Sequence, residues 1–230
     1  MIRKEYLCLA LATVLILLYA TLSPGLADTT KPMQLFSLHR PVDLYLADQQ
    51  GLKLRPSKGK FLVASRKLVD PQFSETVVLL LEYHTQGAMG LIINRPTELK
   101  LSAVFPDIKQ LQHLPDTIYL GGPVSKNQLL LLIRTADPPE ESRHIFEDIY
   151  VSSSQEVIQQ MIETSKIGQR FRVYAGYAGW GAWQLDHEIW RGGWHVLQAD
   201  AETVFDKLAP EIWPALIQRS SAQWVSISER

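Results

Sequence analysis

The 230-residue sequence has one cysteine, no surplus of either charge, no internal repeat and, past its first thirty residues, no long apolar run. Each absence excludes something. Cys8 lies inside the N-terminal apolar run, so a chain cut beyond it has no thiol for a disulfide, a zinc-thiolate centre or a cysteine nucleophile. Lysine and arginine together number 23 against 24 acidic residues, a balance that points away from nucleic acid as a partner. The missing repeat excludes collagen and coiled coil. A single apolar run excludes a multi-span membrane protein. A hydrophobic share of 46% at a net charge of -1 excludes a disordered chain.

What is present begins with an export signal. Arg3 and Lys4 precede the apolar stretch 6–22, followed by Pro24 and the small-x-small ending Gly25-Leu26-Ala27. Residues 1–27 therefore read as a signal peptide or, since about 20 apolar residues span a bilayer core, as an N-terminal membrane anchor. The expected location is the periplasm, or the inner membrane facing the periplasm, with the membrane touched only through this segment. The alternative is a cytoplasmic protein with a misassigned start. Removal of residues 1–27 leaves 21 basic and 23 acidic residues. Residues 28–58, interrupted by Pro32, Pro41 and Pro56, read as a linker, with 42–46 as a short strand or docking segment.

From Gly59 the pattern sharpens. Strands are predicted at 60–64, 76–83 and 89–94, the last two as a hairpin around His84-Thr85-Gln86-Gly87 and stopped by Arg95-Pro96. A helical turn at 101–105 and strands at 117–120, 128–133 and 149–151 follow. Ser153 with Glu156 three residues on reads as a capping box opening a helix that Gly168 ends. A strand at 171–177, a helix carrying Leu185 and Ile189, and a strand at 194–197 come next. Asp200 caps a short helix that Pro210 halts, and 211–219 is a further helix or turn. Residues 220–230 read as a tail. The domain 59–219, roughly 160 residues, buries enough of its chain to hold its own core. Hairpins first and helices late predict one α+β or mixed α/β domain rather than regular βαβ winding.

Five blocks occur in order: Gly59-Lys60-Phe61-Leu62-Val63-Ala64; Asp70-Pro71-Gln72-Phe73; Gly87 to Pro96 as GAMGLIINRP; Gly121-Gly122-Pro123-Val124; and Tyr174 to Leu185 as YAGYAGWGAWQL. Together they resemble the YqgE/AlgH family of bacterial proteins over roughly residues 59–208. The resemblance implies a mixed α/β fold with a split, partly barrel-like sheet flanked by helices. It implies no established reaction, and a regulatory role linked to exopolysaccharide (alginate) production. The chain departs from the family pattern in its export segment and tether, which places it away from DNA. It departs again at Trp183, where the family usually has a small residue or glycine.

No G-x-S-x-G elbow occurs, and Ser65, His84, Asp70 and Asp186 have no spacing that requires a triad. Asp186, His187 and Glu188 are consecutive on a predicted helix, about 100° apart, and cannot jointly face one ion; they read as a solvated charged face, with His195 as a possible neighbour of His187. Gly176-x-x-Gly179-x-Gly181, between a predicted strand and helix, reverses the dinucleotide spacing and carries Trp180 where pyrophosphate must approach; it reads as backbone geometry. Glu140-Glu141 is not positioned as a catalytic pair. Asn94-Arg95-Pro96 reads either as an arginine fork for an anion or, preferentially, as an arginine tied to an acid such as Asp70 that holds two loops together. Trp180, Trp183, Trp190 and Trp194 crowd fifteen residues, with two expected in the core and any exposed remainder as a stacking or hot-spot surface. No catalytic residue, metal ligand or cofactor emerges. The candidate binding surface is Asp70, Asn94, Arg95, Gly122, Gly179, Trp180 and Gly181, for an unidentified protein or small-molecule ligand. The expected role is recognition or regulation without catalysis; a small hydrolase and a cytoplasmic transcription-related regulator are the alternatives.

Overall fold

The computed structural model describes residues 54–109, 111, 117–164 and 170–228. The expected export segment and most of the expected linker lie outside them. The strands are β1 (Lys60–Ala64), β2 (Val77–His84), β3 (Gly87–Ile92), β4 (Pro96–Lys100), β5 (Thr117–Leu120), β6 (Val124–Arg134), β7 (Arg143–Phe146), β8 (Ile149–Ser152), β9 (Arg170–Gly181) and β10 (Trp194–Gln198). The helices among the described residues are α1 (Leu101–Val104), α2 (Gln155–Thr164), α3 (Gln184–Trp190), α4 (Ala201–Phe205) and α5 (Ala209–Ser228). This is the expected mixed α/β fold, with a curled, largely antiparallel sheet.

The sheet runs β10-β1-β2-β3-β9-β6-β8-β7, with β4 and β5 off this path. Its organising element is β9. One end of that long strand, Ala178–Gly181, pairs with β3. The other end pairs with β6 on one side and, in parallel, with β5 on the other. β3 and β5 thus share one edge of β9, end to end, and the Ile92 N–H donates to the Gly121 carbonyl across the junction (2.8 Å). The strand bends at Gly176, whose φ of +68° is the left-handed region that glycine adopts without steric penalty. Opposite the bend, β6 shifts register between Val124 and Leu129, a bulge of the kind that turns a sheet. This is the split that the resemblance implied.

Alternate residues of the strands feed different cores. Phe61, Val63, Leu79, Leu91, Leu130 and Tyr174 lie on one face, covered by Val204, Phe205, Ile212 and Leu216 of α4 and α5. Leu131, Ile133 and Val173 face the opposite way, against Leu101 of α1 and Val157, Ile158 and Met161 of α2. Leu62, Val78, Leu80 and Ile92 join Trp180, Leu185 and Trp194 in a third cluster over α3. Burial on both faces is why 77–81 is continuously apolar rather than alternating.

Several boundaries differ from the sequence reading. Pro96 opens β4 rather than only ending the hairpin; proline is tolerated at the first residue of an edge strand. The first half of β6 is exposed and polar, so it carries no apolar signal, and β7 is only four residues long, with Arg143 and His144 exposed and Ile145 and Phe146 buried. β9 continues past residue 177 through Gly181. The α2 cap is Ser154 rather than Ser153: its Oγ accepts the Val157 N–H (3.3 Å) and donates to Glu156 (2.8 Å). Pro210 stands in the first turn of α5, where its missing N–H costs nothing, and the helix continues to Ser228, past residue 219.

Candidate functional site

The junction after β1 and β3 gathers three of the candidate residues. Asp70 folds its own loop: Oδ1 accepts the Gln72 N–H (2.8 Å), and its carbonyl accepts from Phe73 and Ser74. Arg95 donates to three backbone carbonyls of that loop, through Nη1 to Gln72 (2.6 Å) and through Nη2 to Pro71 and Ser74 (both 3.2 Å). Asn94 accepts the Val77 N–H and donates to the Glu75 carbonyl, each at 2.9 Å. The arginine thus holds two loops together, through carbonyls rather than through an ion pair with Asp70. Burial lowers the Arg95 pKa from its ordinary value, and the charge of Asp70 works against that shift.

Phe73, the last residue of the Asp70 block, links this junction to the tryptophans. Its ring stacks on Trp180 at 6.0 Å and meets Trp194 edge-on at 5.7 Å. Trp180 and Trp194 are themselves edge-to-face at 6.0 Å. Both indoles are buried, at 6% and 3% exposure, and each needs an acceptor for its N–H. Glu188 supplies both: its Oε2 accepts from Trp180 (3.0 Å) and Trp194 (2.8 Å). Its Oε1 accepts from Gln184 (3.0 Å), whose own Oε1 takes the Gly181 N–H (3.1 Å). The expected solvated face of α3 is therefore corrected. Glu188 is an internal acceptor, and Asp186 accepts from the Tyr83 hydroxyl; only His187 of the three is exposed.

Two of the four tryptophans are core, and Trp190 is 61% exposed. They do not share one helix face: Trp180 is on β9, Trp183 precedes α3, Trp190 ends it and Trp194 is on β10. Trp183 adopts φ +65° and ψ -5°, left-handed geometry in which glycine carries no penalty. That is the physical reason a glycine suits this position.

The glycines separate into two kinds. A Cβ on Gly122 would lie 2.1 Å from the Tyr177 carbonyl carbon and 2.3 Å from the Ala178 nitrogen, so the close approach of two backbones requires glycine there. Gly181 has only the Gln184 side chain near its missing Cβ (3.9 Å), and Gly179 meets the edge of the Tyr177 ring at 3.3 Å. Gly179 and Gly181 are exposed and pair with Met89 and Gly87 at the start of β3, whereas Asn94 and Arg95 follow its end. Asp70, Asn94 and Arg95 thus converge, Trp180 joins them through Phe73, Gly122 follows β5 and lies against Tyr177 and Ala178 of β9, and the two exposed glycines lie at the other end of β3. The Gly176-x-x-Gly179-x-Gly181 run is inside a strand, not at a strand-to-helix turn.

The weighed triad does not assemble. Ser65 follows β1, beside Thr76 and the start of β2, while His84 is the last residue of β2; eight extended residues separate them by about 20 Å. Ser65 Oγ accepts the Lys67 N–H (3.2 Å), and His84 Nδ1 accepts the Gln86 N–H (3.2 Å). Among the described residues no three His, Cys, Asp or Glu side chains converge as ion ligands. Phe73 and Glu188 are the site-forming residues that the sequence reading missed. The available signal was the spacing of Glu188 four residues after Gln184 on one helix face.

Comparison with known proteins agrees with this architecture. A family model described as AlgH-like matches residues 61–224. A UPF0301 protein of Burkholderia cenocepacia (strain HI2424) is 36% identical over 166 residues, covering 69% of this chain and 85% of its own length. One from Burkholderia vietnamiensis is 37% identical with the same coverage. The solution structure of the AlgH protein from Pseudomonas aeruginosa, 32% identical, aligns with a TM-score of 0.60 over 71% of this chain and 89% of that one. A crystal structure of a Corynebacterium diphtheriae protein shares the fold at 20% identity, with a TM-score of 0.63 over 76% and 92% of the two chains. The chain is a member of the AlgH-like, or UPF0301, family.

Proposed function

We propose that this AlgH-like protein acts by recognition in the bacterial envelope, as a non-catalytic binding or regulatory component linked to exopolysaccharide production. The observation that carries this reading is how the polar side chains at the strand ends are used. Arg95 is spent on three carbonyls, Asn94 on two backbone groups and Glu188 on two indoles. These bonds fix a rigid scaffold and leave Val69, Trp190 and the Gly179 and Gly181 backbone outward. A rigid surface with an exposed tryptophan suits binding, because a large ring is desolvated with little loss of conformational freedom. The basic-then-apolar N-terminus supports an envelope location.

Fractionation of cells making the full chain with a C-terminal tag tests the location, and recovery in the periplasm or with the inner membrane is expected. Assay of the purified chain on generic ester and phosphate substrates tests the absence of catalysis. Recovery in the cytosol, or a turnover that Ser65→Ala abolishes, overturns the proposal.

A further inference from the structure

The half of β9 away from the strand-end cluster carries a second polar group. Arg170, Arg172 and Tyr174 alternate along one face of the strand, and β6 places Arg134, Leu132 and Leu130 opposite them. Exposure falls along this row. Arg170 is exposed, Arg134 and Arg172 are half-buried, and Tyr174 is 0% exposed. The two outer arginines have counter-charges: Arg134 pairs with Asp148 (3.0 Å) and Asp206 (3.7 Å), and Arg170 also pairs with Asp206. Among the described residues none of these ion pairs reaches Arg172, and the neighbouring stretch 165–169 contains no acidic residue.

Arg172 is held by other means. Its guanidinium lies 4.8 Å over the Tyr119 ring and 5.9 Å from the Phe205 ring, and Nη2 donates to the Phe205 carbonyl at the end of α4 (3.3 Å). The Tyr119 ring also packs on Tyr174, at 5.5 Å between centroids. Arg172 Nη1 and Tyr174 Oη are both buried, and neither meets a hydrogen-bond partner. The guanidinium acts on the phenol through its charge and through close approach as a hydrogen-bond neighbour, although Nη1 and Oη do not meet each other at hydrogen-bond geometry. Burial raises the Tyr174 pKa above its ordinary range, only partly offset by the Arg172 charge, so the hydroxyl stays protonated at neutral pH. One polar atom of a half-buried cation and the hydroxyl of a buried phenol are thus left without partners beside the Tyr119 and Phe205 rings. An unpaired donor or charge in such surroundings is unfavourable, and one acceptor carrying negative charge satisfies both.

We infer that Arg172 and Tyr174 form a binding site for a small monovalent anion, of chloride or formate size, received from Arg172 Nη1 and Tyr174 Oη. The Tyr119 and Phe205 rings lie beside it. The site stands apart from the strand-end surface and is independent of the recognition reading.

The full chain, exchanged into sodium gluconate, is titrated with chloride, bromide or formate at constant ionic strength while its thermal unfolding midpoint is followed. A saturable rise is expected for the small anions and none for added gluconate, whose bulk excludes it. Tyr174→Phe should weaken the apparent affinity at least tenfold. In gluconate alone that variant should be at least as stable as the parent, because it removes a hydroxyl that has no partner. Absence of a saturable effect, an effect unchanged in Tyr174→Phe, or a marked loss of stability by that variant in gluconate overturns the assignment.

Discussion

Glu188→Ala removes the acceptor shared by two buried indoles, and its effect follows from the geometry. Trp180 and Trp194 retain their places between β9, β10 and Phe73, but both N–H groups lose their partner. A buried donor left unsatisfied costs about 1–3 kcal/mol. Two such groups, with some water entering the space of the lost side chain, place the destabilisation at roughly 2–5 kcal/mol. For a domain of this size that lowers Tm by roughly 5–15 °C. Glu188→Gln keeps an amide oxygen with two lone pairs at the same place and gives up only the charge, so about 1 kcal/mol is expected. Urea denaturation followed by tryptophan fluorescence measures both, and near-UV circular dichroism reports the order of the coupled rings. A Glu188→Ala variant within about 0.5 kcal/mol of the parent refutes the reasoning, since surface substitutions fall in that band. It would show that Glu188 is the solvated residue its sequence context suggests.

Three further outcomes are expected. Arg95→Lys should destabilise almost as much as Arg95→Ala, by about 2–3 kcal/mol in urea unfolding, because an ammonium does not reproduce the planar fork that reaches three carbonyls. Gly122→Ala should abolish soluble folding or lower Tm by more than about 10 °C, since the added methyl group overlaps β9 backbone that has no flexible end to move; a normal Tm would show that the two strands can separate there. Glu156 has its pKa lowered by hydrogen bonds from its own backbone N–H and from Ser154. Its contribution is therefore present above the pKa it has in the unfolded chain and is lost as the pH falls through its lower folded value. Glu156→Gln should flatten that part of the acid limb of the stability profile while leaving neutral pH nearly unchanged.

Local signals made much of this protein legible. The apolar run of β2 with its hairpin partner, the Asp200 cap of α4 (Thr203 N–H to Oδ1, 2.7 Å) and the isolated N-terminal apolar segment depend on residues close in sequence. The ordered glycine and Asp70 blocks carried the family, because backbone approach and turns restrict which residues a position accepts. The sequence raised the expectation that two of the four clustered tryptophans lie in the core and left Arg95 open between an anion fork and a loop brace paired to Asp70; the structure places it on three carbonyls.

Tertiary structure decided the rest. Glu188 is an ordinary charged helix residue until β9 and β10 bring two indoles, 8 residues before it and 6 after it, onto one carboxylate oxygen. The start of β6 lacks an apolar pattern, and only its place beside β9 makes it a strand. Trp183 occupies a left-handed turn against its own preference because β9 must enter α3 there. Arg172 and Tyr174 alternate on a strand like many other pairs; the curl of the sheet and the end of α4 bury them together. Most of the elements and the family follow from neighbours along the chain. Which polar groups are solvated and which are buried follows from contacts between residues tens of positions apart, and those exist only once the chain has folded.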